Sequence, residues 1–139
     1  MIRALPLLVL LGACATMASA PLQNLRGCWI ERRGEETLTM RWFPAAEGWR
    51  GDLNSYLGGD VSHQAFRLTP GEGGWEICPL DDGLSHGPPC RPAYFGLGQP
   101  TEAGADWMEI EAGPDALRFS NVVSGARAAV FDGARDGCD

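Results

Sequence analysis

The chain has 139 residues, room for one domain of ordinary size, and a formal net charge of −7. An acidic balance disfavours nucleic acid as a partner, because pairing with its phosphates requires a basic patch. Every basic residue is an arginine, so Schiff-base and other lysine-centred chemistry is excluded too. Glycine and proline are abundant, which favours many short elements joined by tight turns over a few long helices.

The first residues read as an export signal. Met1-Ile2-Arg3 is a short positive region, and residues 4–13 are an apolar run of signal-peptide length, too short to span a membrane. Leu11-Gly12-Ala13-Cys14 resembles a bacterial lipobox, in which Cys14 becomes the first mature residue and carries the lipid. The competing site, Ala18-Ser19-Ala20, leaves Pro21 at the new N-terminus, and proline there is a poor signal-peptidase substrate. Residues 1–24 are therefore expected to be a signal peptide or lipoprotein leader followed by a tether, with the folded domain over 25–139. Ala15, and not Asp, follows the cysteine, which points to an outer-membrane lipoprotein of the cell envelope. A soluble periplasmic or secreted protein is the alternative.

With Cys14 set aside, Cys28, Cys78, Cys90 and Cys138 remain, an even set in an oxidising compartment. Of the possible pairings we expect Cys78–Cys90, closing a Gly- and Pro-rich loop, and Cys28–Cys138, joining the start of the domain to its end. On a loop-entropy argument these are worth about 3 and about 4–5 kcal/mol. A four-cysteine zinc site competes, but there is no C-x-x-C pair.

Strands follow in order. Residues 27–32 come first. The cleanest alternation is 37–42, with Leu38, Met40 and Trp42 on one face, ended by Pro44. Residues 49–57 lead to the turn Gly58-Gly59-Asp60, then 61–68 with Phe66 and Leu68 inward. Residues 75–78 stop at Pro79. Residues 93–97, 107–112, 116–123 and 127–131 complete the set, and 99–105 have room for a turn of helix. No window has a convincing helical period with caps. Breakers recur at the spacing of an all-β protein, and one apolar stripe per strand fits a barrel. The expected fold is a single antiparallel meander barrel of about eight short strands.

Gly27-Cys28-Trp29 resembles the G-x-W that opens lipocalin-like (calycin) barrels. In that family the Trp packs across the barrel end, often against a basic residue of the last strand. The resemblance implies a barrel-end plug of Trp29 with Arg127. The chain is also similar to small bacterial lipocalin-like exported proteins of unknown function, through Leu25 to Trp29, Arg41-Trp42-Phe43-Pro44 and Phe119-Ser120-Asn121. It departs where Met40 replaces a Glu, and where Val122-Val123-Ser124-Gly125 replaces a turn containing Pro and His.

The sequence points to no catalytic, cofactor or metal site. Ser85 and His86 are chain neighbours, which is not triad geometry, and His63 lies among polar residues. Asp81-Asp82-Gly83 reads as a turn. Glu109 and Glu111 share one strand face and read as solvated. A binding site is the better expectation. Trp29, Met40, Trp42, Leu53, Phe66, Ile77, Phe95, Ile110 and Phe119 would line a barrel pocket for a small apolar ligand or lipid, with the membrane met only through the lipid anchor. The alternative is a protein-binding module, a hydrolase inhibitor, acting through the Cys78–Cys90 loop. Mass spectrometry of the mature protein checks the leader. The expected N-terminus is a lipidated Cys14, and an unmodified Pro21 would rule the anchor out.

Overall fold

Apolar side chains at every second position turn one face of each run inward. The computed structural model describes residues 20–71, 73–80, 90–96 and 106–138. They form a short helix, α1 (Ala20–Leu25), and nine strands: β1 (Gly27–Arg33), β2 (Glu36–Ala45), β3 (Gly48–Leu57), β4 (Asp60–Gly71), β5 (Gly74–Leu80), β6 (Arg91–Phe95), β7 (Trp107–Ala112), β8 (Ala116–Val123) and β9 (Ala126–Asp136). Consecutive strands lie side by side and β9 closes on β1, so the protein is an all-β barrel without sheet edges.

The strand count corrects the expected all-antiparallel meander. Directions that alternate around a closed ring need an even number of strands. The nine described strands force one neighbouring pair to run the same way. That pair is β6–β7, with Ala93 opposite Met108 and Phe95 opposite Ile110. The remaining neighbours are antiparallel. A parallel pair cannot be joined by a tight hairpin turn, which sets β6–β7 apart from the other neighbours. The turn of helix expected within 99–105 falls outside the described residues, as do the whole leader up to residue 19, including Cys14, and the loop 81–89.

Two strands run through prolines that the sequence reading took as stops. Pro44 pairs with Trp49, and Pro79 with Phe66. The reason is local. Beyond Trp42, β2 has only β3 beside it, because the β1 register starts at Gly27 opposite Trp42. Beyond Ile77, β5 likewise has only β4, because β6 starts at Arg91 opposite Ile77. An edge-like position does not need the N–H that proline lacks. The last strand also exceeds the expected 127–131. Its further residues pair with Ala116 to Arg118 on one side and with Cys28 to Ile30 on the other.

Both expected disulfides are present, Cys28–Cys138 with Cα atoms 5.4 Å apart and Cys78–Cys90 with Cα atoms 4.2 Å apart. Crosslinks of this kind belong to an oxidising, exported environment.

One end of the barrel is closed. Trp29 is buried there, and its indole N–H donates to the Leu25 carbonyl at 3.1 Å. Residues 20–24, expected to be tether, are instead part of the helix that runs to Leu25, with Leu25 fully buried and Leu22 packed on the core. The cation over Trp29 is Arg135, whose guanidinium carbon lies 4.1 Å from the ring centroid, and not the expected Arg127. Arg135 also donates to the carbonyls of Arg26 and Asn24, both at 2.9 Å, and to that of Pro114. A Cβ on Gly27 would lie 2.7 Å from Arg135 Nη1, so the glycine of G-x-W makes room for the guanidinium.

A bulge explains why the wrong arginine was expected. Phe131 faces Phe119 while Ala129 faces Ser120, so Val130 is an extra residue in β9. One extra residue reverses the faces of everything beyond it. Arg127 and Arg135 are an even number of residues apart, yet Arg127 points outward and Arg135 inward.

Arg135→Ala should lower stability by about 1–3 kcal/mol, through loss of the stacked cation and of the donors to the carbonyls it bridges. Urea unfolding checks this, with the NMR resonance of the Trp29 indole N–H as the local readout. Arg127→Ala should leave that resonance unchanged. The reverse pattern would restore Arg127 as the plug.

Candidate ligand-binding site

Inward side chains fill the half of the barrel next to Trp29. Met40, Trp42, Leu68, Ile110, Leu117, Phe119 and Phe131 are all buried. Phe119 is the centre of an aromatic layer, meeting Trp42 edge-on at 6.2 Å and Phe66 edge-on at 5.4 Å. The Trp42 indole nitrogen is buried without a hydrogen-bond acceptor among the described residues.

Past that layer, toward the end away from Trp29, the interior is not completely filled. A cavity of about 260 Å³ lies between β4, β5, β6, β7, β8 and β9. Phe66, Ile77, Met108 and Phe119 form its floor, and Pro79 and Val130 its walls. Gln64, Arg91 and Asn121 add polar groups. The register explains the set. Arg91 lies opposite Ile77, Asn121 opposite Met108, and Pro79 opposite Phe66, so all share the inner face. Arg91 Nη1 donates to Asn121 Oδ1 at 2.8 Å. The rim at this end carries exposed apolar side chains at the β3–β4 and β8–β9 turns, Tyr56, Leu57, Val61 and Val123.

The residues expected to line a pocket divide in two. Phe66, Ile77 and Phe119 border the cavity. Trp29, Met40, Trp42, Leu53 and Ile110 point inward but belong to the filled half, and Phe95 packs there edge-on to Trp75 at 6.2 Å. Sequence reasoning missed Gln64, Arg91 and Asn121 because it searched only apolar stripes. Asn121 was findable, since it alternates with Leu117 and Phe119. Arg91 was too, since it alternates with Ala93 and Phe95.

The other candidates do not assemble into a catalytic arrangement in the described part. His63 Nε2 lies 3.3 Å from Asp52 Oδ1 on the outer wall. Ser85, His86 and the Asp81-Asp82 turn fall outside the described residues. No three His, Cys, Asp or Glu gather as metal ligands among the described residues. Among the same residues no helix is long and apolar enough to cross a membrane.

Glu109 corrects the expectation of a solvated acidic face. It points out of the barrel, yet only 2% of it is exposed. Arg127 embraces its carboxylate, with Nε to Oε2 at 2.6 Å and Nη2 to Oε1 at 2.7 Å, and Trp107 Nε1 donates at 3.2 Å. The Arg127 hydrogen bonds hold the Glu109 carboxyl below its ordinary range, burial works against them, and the Trp107 indole adds to the lowering. Glu111 instead lies 3.6 Å from the Arg118 guanidinium. The pair locks the back of β7, whose other face presents Met108 to the cavity.

Comparison of the chain with models of protein families, with curated proteins and with solved structures finds no match.

A carboxyl lowered on folding contributes stability that is fully present above its unfolded pKa and is lost as pH falls through its folded one. Glu109→Gln should therefore be less stable than the wild type at neutral pH, with the two converging in acid. Urea midpoints across an acid-to-neutral series check this, and parallel curves would contradict it.

Proposed function

We propose that this protein is an exported, non-catalytic carrier that holds a small apolar or amphipathic molecule in the cavity of its barrel. The observation that carries this reading is the inward-facing cavity with its floor of Phe66, Ile77, Met108 and Phe119. A concave, mostly apolar site with a few polar groups is the usual form of a small-molecule pocket. Size narrows the ligand. The cavity of about 260 Å³ exceeds the ~150 Å³ that accepts benzene. It falls short of the ~300–1,000 Å³ of drug-sized sites. A ring or a short chain suits it better than a whole lipid. The apolar rim offers such a molecule a graded path from water.

The compartment supports the same reading. The lipobox-like Leu11-Gly12-Ala13-Cys14 suggests an envelope lipoprotein, and an outer-membrane position follows from Ala15. The Trp29–Arg135 closure, set by a G-x-W opening, supports kinship with lipocalin-like barrels.

A neutral apolar fluorophore, N-phenyl-1-naphthylamine, tests the site. The wild type should bind it, and Met108→Trp, which fills the cavity floor, should weaken binding roughly tenfold or more while the fold persists by circular dichroism. An organic extract of the natively purified protein should contain a small amphipathic compound. An empty extract together with no probe binding would overturn the proposal.

A further inference from the structure

Charge around the cavity is unbalanced. Arg33, Arg50, Arg118 and Arg127 each meet a carboxylate. Arg135 lies over Trp29 and meets three backbone carbonyls. Arg26, Arg32, Arg41 and Arg67 are exposed to water. Arg91 fits none of these classes. It is half-buried, it lines the cavity, and its hydrogen-bond acceptor is the neutral amide of Asn121. No Asp or Glu is among the described residues that line the cavity. A guanidinium drawn into a partly apolar wall loses hydration, and a neutral acceptor returns only part of it.

The unused part of the fork has a specific shape. Nη1 is committed to Asn121 Oδ1 at 2.8 Å. Nε and Nη2 have no acceptor among the described residues. That edge of a guanidinium presents two parallel N–H groups and matches the two oxygens of a carboxylate. Asn121 is itself fixed on β8 beside Met108, so it holds the arginine over the apolar floor.

Accepting the cavity as a ligand site, we infer that its ligand is a small amphipathic carboxylate, with its acid group on the Nε/Nη2 edge of Arg91 and its short apolar body on Phe66, Ile77, Met108 and Phe119. Arg91 is the specificity-determining residue and Asn121 its positioning residue. The net negative charge of the protein makes this local cation the feature that admits an anion.

Octanoate and 1-octanol, matched in chain and differing in head group, separate the two levels of the reading by isothermal titration calorimetry on the full mature chain. Octanoate should bind roughly tenfold or more tightly than octanol. Arg91→Gln should abolish that preference while leaving octanol affinity within about twofold. Asn121→Asp, which sets a fixed carboxylate against the guanidinium, should abolish it independently and serves should Arg91→Gln fail to fold. Octyl sulfate is the third arm. Binding as tight as that of octanoate would show that any anion suffices and would overturn the assignment of a carboxylate. Equal binding of octanol and octanoate, or a preference that survives the variants, would overturn the role of Arg91 and leave an apolar carrier. Failure of every compound to bind, in a protein free of bound lipid, would take the carrier proposal down as well.

Discussion

The stacking of Arg135 on Trp29 is the contact on which the arrangement of the barrel depends. A single guanidinium lies 4.1 Å over the indole and reaches carbonyls at Asn24, Arg26 and Pro114. Those groups belong to the segment that enters β1 and to the β7–β8 turn, so helix, first strand, last strand and one turn meet at one side chain. The cation satisfies carbonyls at a place where three chain segments converge and no sheet ladder can serve all of them. Once this end is sealed and the layer above it is buried, a cavity can persist toward the opposite end. The dispersion contacts that the cavity forgoes are offset by those made below it.

The wall beside the cavity is held by a different economy. β6 has five residues and pairs with only three on each side. This is the thinnest described part of the ladder, and it includes the parallel pair that an odd strand count makes unavoidable. Covalent chemistry stands in for the missing hydrogen bonds. Cys78 on β5 is bridged to Cys90, the residue before β6 begins. The same bridge fixes the backbone next to Arg91. The group that gives the cavity its charge is therefore placed by a crosslink on one side and by the Asn121 amide on the other.

Much of the fold was legible in the sequence because its signals are local. Alternation at Leu38, Met40 and Trp42 reads out an inner face directly, and the turn at Gly58-Gly59 falls where composition put it. Both disulfides followed from counting cysteines and asking which loops needed closing. The failures share a cause, which is dependence on a neighbour in space. Pro44 and Pro79 sit within strands because one flank is free, a fact about the adjacent strand's register. The exchange of Arg127 for Arg135 turns on the extra residue at Val130, and no periodicity reveals a bulge. Glu109 read as solvated because its burial depends on Arg127 and Trp107, brought to it by the barrel. The cavity was hidden for a related reason. Apolar stripes show which side chains point inward, but whether they meet at the centre depends on their lengths around the ring.

The bridge between Cys28 and Cys138 also decides how the barrel carries force. It spans 110 positions of sequence but joins strands that are already neighbours, since Cys28 lies opposite Asp136. Tension arriving from the N-terminal side would otherwise peel β1 from the sheet one hydrogen bond at a time. The sulfur bridge sends part of that load straight into β9, so two adjacent antiparallel strands must yield together. A domain pulled from its N-terminal side thus resists as a closed loop.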